Sequence, residues 1–87
     1  DHVSNAATAG WKALAGVPKL ACIIAVELMT GSRALAMQGV DVPAPLEHIL
    51  DVIRNHAPVP RSDASLSESI EELAGALLEG SLEAVLP

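Results

Sequence analysis

The 87-residue sequence has no Phe and no Tyr, and Trp11 is its one aromatic residue. A core built on aromatic rings is therefore excluded. What fills the 51% apolar fraction instead is 15 Ala together with Leu, Val and Ile, a set suited to closely packed helices. Alternating β-branched runs of useful length are lacking too, which argues against a sheet. Cysteine is almost absent: Cys22 stands alone, so no disulfide forms within the chain, and a thiolate metal cluster has too few ligands. Between Ala21 and Ile23 it reads as a small buried hydrophobe. Positive charge is scarce, with 5 Lys+Arg against 11 Asp+Glu and a net charge of −6, which leaves no basic patch for nucleic acid. The charge is also lopsided. Residues 1–40 hold Asp1 and Glu27 against Lys12, Lys19 and Arg33, a net of +1. Residues 41–87 hold nine acids against Arg54 and Arg61, a net of −7. Those acids sit among Leu and Ile at helical spacing, so they read as a solvated helix face.

Catalytic patterns are missing as well. There is no glycine-rich phosphate loop, no Cys-His arrangement and no pair of carboxylates in an apolar setting. His2, His48 and His56 share no metal-ligand spacing, although His48 and His56, eight apart on one expected helix, could face the same way; they are otherwise surface residues. A carrier protein bearing a phosphopantetheine arm would show Asp-Ser-Leu near mid-chain, whereas Asp63-Ala64-Ser65-Leu66 has an inserted Ala and comes too late. No signal-peptide pattern and no initiator Met are present, and the opening at Asp1 leads to the expectation of a piece of a longer protein.

The stretch Leu20 to Met37, LACIIAVELMTGSRALAM, dominates what is there. It is apolar nearly all the way round a helix. Its two charges, Glu27 and Arg33, lie about 120° apart on the helical wheel, so no solvated face forms. A membrane span needs about 20 mostly apolar residues, and a central acid or base costs roughly 2.5–3.5 kcal/mol on insertion. Glu27 and Arg33, with Thr30, Gly31 and Ser32 between them, therefore favour a buried helix of a helical bundle over a span. Glu27 is then expected to be a buried structural carboxylate bonded to a neighbouring helix or subunit, with a catalytic acid or base of raised pKa as the rival.

Along the chain, Val3, Ala6, Ala7, Gly10, Leu14 and Val17 form one helical stripe with Trp11 beside it, and Asp1 or Ser4 can cap its start. Gly16-Val17-Pro18 interrupts the pattern, either breaking the helix or kinking a longer one, and the kink is the expectation. A continuous helix over about 2–38 would be a rod of roughly 55 Å, against roughly 30 Å across a compact domain of this size. Such a rod needs covering by residues of other chains or of the same chain beyond this stretch. Gly39 ends it, and 40–45 is a proline-braced connector. Leu46, Ile49, Leu50, Ile53 and Ala57 make the second amphipathic helix, stopped by Pro58-Val59-Pro60. Arg61 to Leu66 reads as a loop. Ser65 with Glu68, or Ser69 with Glu72, fits a capping box for a third helix bearing Ile70, Leu73, Ala74, Leu77 and Leu78 and closed by Gly80. Ser81 can cap a last short turn with Leu82, Val85 and Leu86. The fold class expected is all-α: one long kinked helix and two shorter amphipathic ones, part of a larger helical bundle.

Two ends of the chain carry a family resemblance. Asp1-His2-Val3-Ser4 resembles the Asp-His-Val-Ser that follows the active-site Glu of histidine ammonia-lyases, and Ala25-Val26-Glu27-Leu28 resembles the later Ala-Ile-Glu element. The tail, from Ser69-Ile70-Glu71-Glu72-Leu73-Ala74 through Leu77-Leu78-Glu79-Gly80-Ser81-Leu82 to Val85-Leu86-Pro87, is similar to that family's closing Asp-Ile-Glu, Leu-Leu, Gly-Ser-Leu and Leu-Leu-Pro pattern. The matches fall in order and span essentially the whole chain. The resemblance implies the C-terminal helical segment of a larger lyase of the aromatic amino acid ammonia-lyase superfamily, residues 1–39 forming a long central-bundle helix and 46–87 the C-terminal helices. It implies a cytoplasmic, homotetrameric enzyme of histidine catabolism in which this segment packs against the rest of the parent chain, with no membrane and no nucleic acid. It implies a methylidene-imidazolone group, made from an Ala-Ser-Gly that this chain lacks, so the segment itself holds no cofactor, no metal and no catalytic residue, and alone is inactive. Asp1 and His2 would be adjacent to the pocket by position, and His2 leans the substrate towards histidine, since the phenylalanine and tyrosine branches look more like Gln-Asp-Val here. Asn5 departs from a frequent Met, and Pro18 falls where the family's helix runs on without a proline. The alternatives are an aromatic amino acid lyase or mutase, and a non-catalytic helical oligomerisation module.

Overall fold

In the computed structural model, which describes residues 2–58 and 62–83 (side chains from residue 5 onward), three helices follow one another: α1 His2–Gln38, α2 Ala44–His56 and α3 Asp63–Glu79. No strand is present among the described residues. The all-α expectation and the helix boundary at 38 are met.

α1 runs through Pro18 without a break. The ring removes one backbone donor and crowds the carbonyl of Leu14, a local cost of about 3 kcal/mol that does not stop the helix here. Thr30 Oγ1 donates back to the Val26 carbonyl at 2.8 Å, so the hydroxyl is satisfied inside its own helix. At the C-terminal end Gly39 takes φ 63°, the left-handed conformation that glycine adopts without steric penalty.

α2 begins earlier than its apolar pattern, at Ala44. Pro43 precedes it in an extended conformation, and Pro45 fits in the first turn, where a missing N–H leaves nothing unsatisfied. Glu47 N–H donates to the Pro43 carbonyl at 3.0 Å. The helix stops at His56 because Ala57, preceding Pro58, is pushed out of the helical region.

α3 corrects the expected loop over Arg61 to Leu66. Ser62 is its N-cap, with an extended backbone, and the Ser62 Oγ accepts from the Ser65 N–H at 3.1 Å. Neither capping-box Ser caps: Ser65 lies in the first turn and Ser69 is buried in the helix interior. Asp63 in the first turn complements the helix dipole. Gly80, at φ 78°, closes α3, with Gly80 N–H donating to the Leu77 carbonyl and Ser81 N–H to the Ala76 carbonyl, a Schellman arrangement. Asp1, Val85 and Leu86, and the side chains of Val3 and Ser4, lie outside the described residues, as do the roles expected of them.

The core gathers Ala21 and Ala25 of α1, Ile53 of α2, and Leu73, Ala74 and Leu82 from α3 and the turn after it. Small Ala residues let α3 approach α1 closely, and α3 packs on α1 more extensively than α2 does. Cys22 and Leu28 pack against this core half-buried. All of this covers only the C-terminal half of α1. The molecule is 57 × 33 × 19 Å with a radius of gyration of 16.3 Å, against about 12 Å for a compact domain of its length. Its accessible surface is 6377 Å², against about 4,800 Å² for a compact monomer of its mass.

Candidate functional site

Buried Ala21, Ala25 and Ser32, with half-buried Leu28, form the inward line of α1, spaced four, three and four apart so that one face meets α2 and α3. Glu27 falls on the opposite side and is exposed. This corrects the expectation of a buried carboxylate: among the described residues Glu27 has neither a hydrogen-bond partner nor an ion pair, and the catalytic-acid reading loses its apolar setting.

The same line extends backwards through Val17, Leu14 and Trp11, three positions apart each, but no described residue lies over it there. Trp11 is 73% and Leu14 63% exposed. A second apolar strip, with Leu20, Ile23, Val26 and Met37, faces outward further along. By length and composition α1 could cross a membrane from Asn5 to Gln38. An exposed apolar surface of this extent on one helix marks a face made to be covered.

Side chains with chemistry are sparse. His48 is exposed on α2 and does not join His56, whose Nδ1 lies 3.3 Å from Glu72 Oε1 and ties the last turn of α2 to α3. Sequence reading missed this pair because sixteen residues and a loop separate its members. No group of three or more His, Cys, Asp or Glu able to hold a metal occurs among the described residues. His2 opens α1, and Asp1 is outside the described residues, so the two positions placed near a pocket by resemblance are not joined to any described site.

One cleft is built from described side chains. It opens between the C-terminal half of α1 and the end of α2, with a volume of about 370 Å³. Met29, Ala36, Ile53 and Leu66 supply apolar wall; Ser32, Arg33 and Arg54 supply the polar groups. Ser32 is only 6% exposed. Arg54 has Asp51 at 3.8 Å, an exposed i,i+3 pair of little strength. The cleft lies some 27 positions along α1 from His2, about 40 Å at the helical rise. It is therefore a different place from the start of the chain.

Set against known proteins, the chain is 33% identical over 85 residues to the histidine ammonia-lyase of Roseobacter denitrificans, covering 97% of this chain and 17% of that protein. It is 37% identical over 83 residues to the histidine ammonia-lyase of Gloeobacter violaceus, covering 94% of this chain and 16% of that protein. No family model matches, and no solved structure does. The chain thus spans about one sixth of the length of the curated relatives it matches. Two relatives align with nearly every residue of this long helix and its two packed companions, and on that evidence the chain belongs to the histidine ammonia-lyase family.

Proposed function

We propose that this chain is the C-terminal helical segment of an enzyme that converts L-histidine to urocanate and ammonia, and that its own task is packing. The observation that carries the reading is the alignment of both relatives along almost the whole chain, while α1 leaves Trp11, Leu14 and Ile23 uncovered. A bundle of helices from the rest of the enzyme and from partner subunits, a homotetramer in the resemblance, gives that face its cover. Burial of a large apolar side chain is worth roughly 1.5–3 kcal/mol, enough for a handful of such residues to hold an assembly together. A soluble bundle core suits the face better than lipid does, because Glu27 and Arg33 lie within the run.

Ala-Ser-Gly, the precursor of the methylidene-imidazolone electrophile that assists ammonia loss, does not occur in these 87 residues, so none of them would form that group. Among the described residues, Glu27 is exposed and His56 is engaged with Glu72, so neither stands in the setting of a general acid or base. The segment alone is accordingly inactive, in a cytoplasmic enzyme whose chemistry lies elsewhere in the protein.

The test is genetic and enzymatic. Coding sequence read upstream of Asp1 is expected to place a Glu directly before it and an Ala-Ser-Gly well before that. The encoded protein is expected to release urocanate from L-histidine, followed by ultraviolet absorbance. A Gln before Asp1, with deamination of phenylalanine or tyrosine, would move the substrate. A start codon at that place with neither motif would leave a helical oligomerisation module.

A further inference from the structure

The cleft between α1 and α2 has a composition that packing does not explain. Its volume, about 370 Å³, falls in the range of small-ligand pockets. The chain carries only 5 Lys+Arg against 11 Asp+Glu, yet two of those cations, Arg33 and Arg54, stand at this one opening. Among the described residues Arg33 has no ion pair. Arg54 has only the 3.8 Å approach of Asp51. Between apolar walls, Ser32 adds a hydroxyl to the lining, on a residue only 6% exposed. Guanidinium groups present a planar fork of N–H donors that matches a carboxylate.

We propose that this cleft binds a small carboxylate with an apolar body, its charge held at Arg33 and Arg54, a polar atom at Ser32 and its hydrocarbon against Met29, Ile53 and Leu66. This site is independent of the lyase reading, since none of its residues belongs to the segments that carry the resemblance to a pocket.

The two methionines of the chain give the experiment. Met29 lines the cleft and Met37, 82% exposed, does not. With 13C-methyl-labelled methionine in the 87-residue chain, titration with 4-phenylbutyrate is expected to move the Met29 methyl resonance and leave that of Met37 in place. Arg33→Gln is expected to weaken the binding at least about tenfold, the usual worth of a charge-assisted hydrogen bond, and 4-phenylbutanamide to bind correspondingly less well. Arg33 is exposed, so its replacement leaves folding intact, which helical circular dichroism verifies; Arg54→Gln is the second variant. An unmoved Met29, equal binding of acid and amide, or indifference to both arginine variants would overturn the proposal. So would binding to the chain but none to the longer protein that carries it, which would assign the cleft to an acidic segment of that protein.

Discussion

Single residues divide sharply between those the fold depends on and those it leaves idle. Leu73 is the largest side chain with no exposure at all. Its truncation to Ala removes buried methyl groups at the meeting of all three helices and leaves a cavity. Leu73→Ala is expected to cost 2–5 kcal/mol, in line with buried Leu→Ala changes, read as a lowered urea midpoint at unchanged slope. Ser62 acts through a single 3.1 Å bond to the Ser65 N–H. Ser62→Ala should cost about 1 kcal/mol by the same measurement, whereas Ser65→Ala and Ser69→Ala, the two capping-box candidates, remove no cap. Gly80 sits at φ 78°, so Gly80→Ala is expected to destabilise, by about 1 kcal/mol. Ser62 was legible only as one more polar residue in the loop, because its partner three positions on is Ser65 rather than the Glu or Gln that marks a capping box.

Among the elements, α1 is the one whose sequence and structure disagree locally. Pro18 and Gly16 both oppose a helix, and the helix passes through them. Added side-chain atoms at Gly16 would meet nothing within 4 Å. Gly16→Ala is therefore expected to strengthen α1 by roughly 0.5–1 kcal/mol, and Pro18→Ala by more. Amide hydrogen exchange over residues 12–24 should slow in both variants while exchange in α3 stays unchanged. Faster exchange in that stretch would mean that Pro18 is needed for the geometry of the helix. The long helix, Gly39 and the apolar positions of α2 and α3 were all readable, since each rests on local composition, a pattern of spacing or a terminal glycine. The start of α3 and the exposure of Glu27 were not. Burial of Glu27 depends on which face of an all-round apolar helix meets α2 and α3, and no local pattern distinguishes the faces when most of them are apolar.

For the whole molecule, the governing fact is that α1 outreaches its companions. Its N-terminal half bears the same apolar line that is buried further along, with Leu14 and Trp11 in the open. The 87-residue chain is expected to self-associate with rising concentration in sedimentation velocity. Trp11→Lys combined with Leu14→Glu should reduce that association without loss of the α1–α3 core, whose residues lie more than one turn away. A chain that stays monomeric at every concentration would remove the packing role proposed for this face.

The sequence by itself determined the helical class, the place of the long helix, its terminal glycine and the family, because these rest on composition, periodicity and the order of short motifs along the chain. Only the tertiary structure decided which face of α1 is core, that Glu27 lies outside it, that His56 meets Glu72, and that Arg33 and Arg54 share a cleft. Each of those depends on the rotation and approach of one helix against another. Such relations join residues far apart in sequence, and near-uniform apolar surfaces leave them to be settled by packing alone.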